Sequence, residues 1–92
     1  MRTPYIAGNW KMHKTVGEAE GLTRELVRGL ERVDRKVMIA PPFTALSAVK
    51  RQLEGSHILL GAQNMGPEEK GAHTGEVSVL MLKDLGVDAV IL

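Results

Sequence analysis

The chain has 92 residues, a formal net charge of +1, 43% hydrophobic residues and 25% charged ones. That allows one small globular domain, and it argues against a disordered tail and against nucleic acid as the main partner. Cysteine is absent, which excludes a disulfide framework and a thiolate metal site. No apolar run approaches the ~20 residues that span a bilayer. Met1-Arg2-Thr3-Pro4 leads directly into strand-like sequence without an apolar signal core, so the expectation is a cytoplasmic protein with no membrane partner.

Pro4 to Gly8 predicts a first strand. Thr15 is a good N-cap, and Glu18 three residues on completes a capping box. Ala19, Leu22, Leu26, Leu30 and Val33 then recur at spacings of three and four. Glu20, Arg24, Glu25, Arg28, Glu31 and Arg32 fill the other face, which predicts an amphipathic helix. Lys36 to Ala40 is a short apolar run suited to a strand buried on both faces, stopped by Pro41-Pro42. Thr44 is expected to cap a second helix with Ala45, Leu46, Val49 and Leu53 inward and Gly55 as its stop.

Ile58 to Ala62 predicts a third strand. A polar stretch without periodicity runs from Gln63 to about Val77. Ser78 opens a third helix with Val79, Leu82 and Leu85 inward, and Gly86 ends it. Asp88 to Leu92 predicts a fourth strand. Alternation of strand and helix implies a parallel sheet with right-handed crossovers. A doubly wound sheet and the start of a (β/α)8 barrel share this opening. The turn after the first strand holds Gly8 alone rather than a glycine-rich phosphate loop, which tilts the choice towards the barrel.

Asn9-Trp10-Lys11 stands at the exit of the first strand, the end at which βα proteins handle ligands. Lys11 is the leading candidate for chemistry, as a fixed cation beside an anionic substrate and beside charge developing in a transition state. The plainer reading is a surface lysine. Asn9 is a candidate donor to a substrate oxygen, or simply a turn residue. Trp10 reads as packing. His13, His57 and His73 lack metal-ligand spacing and read as turn or surface residues. Asp34, Asp84 and Asp88 read as solvated or capping carboxylates, and Lys50 and Arg51 as the outer side of the second helix. The loop from Gln63 is long for a compact domain, at roughly fifteen residues. Its tip, Lys70-Gly71-Ala72-His73-Thr74-Gly75-Glu76, suggests a tight finger able to enter a neighbouring pocket, or a plain surface loop.

Four segments together carry a family resemblance. Ala7-Gly8-Asn9-Trp10-Lys11-Met12, Pro41-Pro42-Phe43-Thr44, Gly61-Ala62-Gln63-Asn64 and Gly71-Ala72-His73-Thr74-Gly75-Glu76-Val77-Ser78 resemble the triosephosphate isomerases in order and spacing. The resemblance implies a (β/α)8 TIM barrel that interconverts dihydroxyacetone phosphate and D-glyceraldehyde 3-phosphate through an enediolate, in glycolysis and gluconeogenesis, with no metal and no cofactor. It implies that Asn9 and Lys11 bind substrate and that Lys11 is catalytic, offsetting phosphate and enediolate charge. It further implies a homodimer. Thr74 would reach the neighbouring subunit's Asn9 and Lys11, and Met12 would lie where the partner's loop docks. Gly75 lies in that loop, and Gln63 and Glu76 would help hold its shape.

The family's chain is roughly two and a half times longer. Its carbonyl-polarising histidine follows the fourth strand, and its glutamate base, closing lid and phosphate-binding amides come later still. Residues 1–92 are therefore expected to be the N-terminal part of a single barrel domain: three βα units and the fourth strand. By themselves they are expected to be inactive, because the base and the electrophile are missing. The alternative is a non-catalytic fragment or assembly module that needs a complementing chain.

Overall fold

The structure, a computed structural model, describes residues 5–91. Its elements are β1 (Tyr5–Asn9), α1 (Val16–Leu30), β2 (Lys36–Ala40), a 3-10 turn (Phe43–Ala45), α2 (Leu46–Leu53), β3 (Leu59–Ala62), α3 (Val79–Leu85) and β4 (Ala89–Val90). The expected strand positions Pro4 and Leu92 lie outside the described residues.

All strand pairs are parallel, in the order β1-β2-β3-β4. Right-handed crossovers that always add the next strand on the same side keep every helix on one face. A doubly wound sheet instead reverses its order at a switch point. Among the described residues the order shows no reversal, so the sheet is a segment of barrel wall.

Side-chain alternation sorts the two faces. Val37, Ile39, Leu60 and Ala62 meet Ala19, Ala45, Leu46, Val49, Leu53 and Leu82 in one apolar cluster beneath the helices. Fully buried side chains such as Leu46, Leu60 and Val49 each contribute about 1.5–3 kcal/mol. Met38 projects to the opposite face and lies over Gly61, where an added Cβ would meet its sulfur at 2.7 Å. Val37 to Ala40 are all buried, as a strand covered on both faces should be. Ile6 aligns with Val37 yet is 51% exposed, because β1 is an edge strand.

Local signals account for most boundaries. Thr15 and Glu18 form the expected capping box, with the Glu18 carboxylate accepting the Thr15 N–H and hydroxyl, each at 3.0 Å. Thr23 is fully buried on α1 and its hydroxyl donates to the Ala19 carbonyl at 2.7 Å, which satisfies it inside the core. Ser78 caps α3 by accepting the Met81 N–H. Gly86 ends α3 at φ 83°, and Val87 N–H closes back on the Leu82 carbonyl at 3.0 Å.

Three expectations need correction. Thr44 does not cap α2: it lies within the 3-10 turn, and Ala45 occupies the cap position without a side-chain bond. Pro42, at φ −58° and ψ 154°, starts that turn, and the Ala45 N–H bonds the Pro42 carbonyl at 3.0 Å. Lys50 is half-buried rather than on the outer side, since its stem crosses Gly86. Asp88 is not merely solvated: its carboxylate accepts the Leu60 N–H at 2.8 Å, while its own N–H bonds the Leu60 carbonyl at 2.8 Å. That exchange clamps the start of β4 to β3.

Candidate functional site

The C-terminal ends of the strands gather the candidate residues. Asn9 is the last residue of β1, one position beyond the predicted end of the strand. Its side-chain oxygen accepts the Lys11 N–H at 2.9 Å, an Asx turn that bends the chain sharply off the sheet. Lys11 consequently sits in the left-handed region, at φ 53°. For a residue with a Cβ that conformation costs roughly 1–2 kcal/mol.

Gln63 supports the turn from the other side. It follows β3 directly, and its Nε2 donates to the Lys11 carbonyl at 2.8 Å and to the Ala40 carbonyl at 2.9 Å. The Ala40 carbonyl also accepts the Trp10 N–H at 3.1 Å. The ends of β1, β2 and β3 are thus tied together by one side-chain amide and one backbone carbonyl. A net 0.5–1.5 kcal/mol per hydrogen bond is enough, for the two bonds on Lys11, to offset its left-handed backbone.

The consequence is a lysine whose backbone is held at both its N–H and its carbonyl while its side chain stays exposed. Among the described residues its ammonium has no ion-pair partner. The Asn9 Nδ2, likewise without a partner among those residues, keeps both protons for a ligand. An amide donor and a cation fixed two residues apart can bind an oxyanion and stabilise one that forms during a reaction.

Trp10 packs against the apolar cluster, as expected of the single tryptophan. With Asn9, His13, Lys14, Glu18 and Leu22 it lines a cavity of about 430 Å³ between the strand exit and the start of α1. Lys11 is outside its wall. The nearest carboxylate there, Glu18, is occupied by Thr15, which holds its pKa below the ordinary 4.5 through the backbone bond first and the hydroxyl second. His13, His57 and His73 are all exposed. No group of three or more His, Asp or Glu among the described residues is placed to hold a metal ion.

The long loop closes at its base through Gly66 N–H to the Val77 carbonyl, 2.7 Å, and turns at its tip through Glu76 N–H to the His73 carbonyl, 3.1 Å. Gly75 supplies φ 85° in that turn. A cavity of about 530 Å³ lies under the loop, lined by Met65, Gly66, His73, Val77 and Met81 among others. It is larger than the one beside Asn9, but the convergent polar groups are at the strand ends, and chemistry follows those. Thr74, Gly75 and Glu76 are exposed and are not brought to Asn9 or Lys11 within the chain. Met12 is 94% exposed beside Pro42 and Thr44. Gln63 is brought to Lys11 and Ala40, and its amide makes no bond to the long loop. Sequence reasoning missed this bracing, because its partners are 52 and 23 residues away.

Comparison with known proteins gives a consistent picture. The family described as Triosephosphate isomerase matches residues 4–92. The triosephosphate isomerase of Treponema pallidum is 63% identical over 91 residues, covering 99% of this chain and 36% of that protein. The one from Caldanaerobacter subterraneus is 53% identical over 92 residues, covering 100% of this chain and 37% of that protein. The crystal structure of triosephosphate isomerase from Bartonella henselae superposes with a TM-score of 0.91 at 42% identity, covering 99% of this chain and 38% of that one. The 92 residues span little more than a third of the length of these relatives. By sequence and by fold, the chain belongs to the triosephosphate isomerase family.

Proposed function

We propose that the complete protein interconverts dihydroxyacetone phosphate and D-glyceraldehyde 3-phosphate, and that residues 1–92 form the N-terminal part of its single barrel domain. The observation that carries the reading is the pinned Lys11 at the end of β1, beside the Nδ2 of Asn9, which has no partner among the described residues. Abstracting a proton next to a carbonyl places negative charge on oxygen, and a preorganised cation and amide donor stabilise that charge as it develops. Lys11 also balances the substrate phosphate.

Moving the proton is a separate task. It needs a base within hydrogen-bond reach of the substrate carbon. Glu18, the glutamate that lines the cavity beside Asn9, is tied to Thr15. The base and the electrophile therefore belong to the rest of the barrel, and residues 1–92 alone are inactive. The bare flank of β1, marked by the exposed Ile6, is where a closing strand would pair.

The working unit is a homodimer located in the cytoplasm. Support for the dimer comes from the exposed Met12 and from the exposed finger that carries Thr74, Gly75 and Glu76. The finger of one subunit docks near Met12 of the other, and Thr74 braces its partner's Asn9 and Lys11. No helix among the described residues is long and apolar enough to cross a membrane. The test is isomerisation of dihydroxyacetone phosphate by the purified complete protein and by residues 1–92. Turnover by the first and none by the second is expected. Inactivity of the complete protein contradicts the reading.

A further inference from the structure

We infer that Asp88 is a positioning residue: its side chain selects the register in which β4 joins the sheet, and so sets where the chain leaving β4 enters the site. Its consequence for turnover rests on the isomerase reading above. Leu60 turns both of its backbone groups towards β4. Its carbonyl accepts the Asp88 N–H at 2.8 Å, and its N–H donates to the Asp88 carboxylate at 2.8 Å. In a regular parallel ladder that N–H would instead meet the carbonyl two residues before Asp88. That residue is Gly86, which stands at φ 83° as the stop of α3 and lies outside the strand. The carboxylate thus takes the place of a missing rung. Leu60 is fully buried, and a backbone N–H left there without a partner is costly.

Among the described residues little else fixes that register. β4 pairs over two residues, Ala89 with Gly61 and Val90 with Ala62. Val90 packs against the apolar cluster, but Ala89, Val90 and Ile91 are all apolar, so patterning does not tell one register from the next. The Ile91 N–H bonds the Ala62 carbonyl at 2.9 Å, a backbone bond open to any residue brought there. Asp88 does discriminate. A slip of one residue turns its carboxylate to the opposite face of the sheet, away from the Leu60 N–H, and moves the strand by about 3.3 Å along its axis. The strands are parallel, so β4 ends on the same side of the sheet as Asn9. Whatever the complete chain places beyond β4 therefore moves relative to Asn9 and Lys11 when the register moves. Asp88 touches no substrate; it acts through the strand that it seats.

In the complete protein, Asp88→Asn keeps an acceptor oxygen on a side chain of the same length, and Asp88→Ala removes it. Asp88 is exposed, so both variants are expected to fold. Asp88→Lys also lacks an acceptor and serves if the alanine variant does not fold. Amide exchange of Leu60, read by NMR, is expected to quicken by about 10-fold in the alanine variant and to stay near the parent in the asparagine variant. In the alanine variant kcat is expected to fall by about 10-fold, within the ~100-fold that ångström misplacement costs, with a smaller change in KM. Asparagine is expected to restore it. Parent-like kcat in a folded alanine variant, or equal losses with alanine and asparagine, overturns the positioning role. An unchanged Leu60 exchange rate overturns the hold on the register itself. Absence of turnover by the unsubstituted protein overturns the isomerase reading instead, and the exchange rate then decides the register claim alone.

Discussion

The side-chain oxygen of Asn9 accepts the backbone N–H of Lys11 at 2.9 Å, so the two polar residues at the end of β1 are one unit. The amide of Asn9 has two ends: its oxygen shapes the turn, and under the proposed function its Nδ2 serves the ligand. The two tasks are separable. Asn9→Asp keeps an acceptor for the Lys11 N–H and loses the donor. It is expected to retain stability while lowering kcat/KM. Asn9→Ala loses both and is expected to cost an additional ~0.5–1.5 kcal/mol of stability. Urea denaturation and steady-state kinetics on the complete protein check the pair; equal stability loss in both variants contradicts the division.

Glu18 gives a pH signature. Its carboxylate is held below the ordinary 4.5, chiefly by the Thr15 N–H and then by the Thr15 hydroxyl. A depressed folded pKa means that the unfolded chain takes up its proton first as pH falls. The stabilisation is therefore complete above the ordinary value and lost as pH falls through the lower folded one. Glu18→Gln is expected to be less stable than the parent at neutral pH, and the gap is expected to shrink as pH falls below the ordinary carboxylate value. A gap that does not change with pH in denaturant titrations contradicts this.

Gly61 and Met38 are coupled through space on the face of the sheet away from the helices. A Cβ at position 61 meets the Met38 sulfur at 2.7 Å. Gly61→Ala is expected to push the flexible end of the Met38 side chain aside, at a cost of no more than about 1 kcal/mol. In a Met38→Ala background the cost is expected to fall, because space has been opened. Strictly additive losses in chemical denaturation contradict the contact.

Thr74 tests the proposed dimer. It is exposed at the loop tip and holds nothing within the described residues. Thr74→Ala is therefore expected to leave the fold of each subunit intact while raising the dimer dissociation constant by ~10-fold, about 1.4 kcal/mol. Sedimentation of the complete protein reads this directly, and an unchanged dissociation constant contradicts the role of the loop.

What could be read from the sequence divides by distance along the chain. The Thr15–Glu18 box, the Ser78 cap and the Gly86 stop are local devices, legible because each partner lies within a few residues of the other. The burial of β2 was legible because Val37 to Ala40 is apolar throughout. Strand order was not legible from the alternation, which barrel and doubly wound sheets share; the turn with Gly8 alone and the family resemblance pointed to the barrel, and the observed order agrees. Thr44 misled because a good capping residue says nothing about Pro42 starting a 3-10 turn just before it. The place of Asn9 and Lys11 at a strand exit was legible. The hold that Gln63 has on Lys11 was not, because a glutamine side chain carries no mark of a carbonyl 52 residues away. Likewise the Asp88 carboxylate finds its partner 28 residues back, on Leu60.

The most direct test is the effect of Lys11→Met on isomerisation by the complete protein. The side chain is exposed, so the fold should survive, and circular dichroism verifies that it has. Loss of a preorganised charge aimed at a developing oxyanion is expected to lower kcat/KM by at least ~100-fold. Unchanged kcat/KM in a folded Lys11→Met protein would contradict the account.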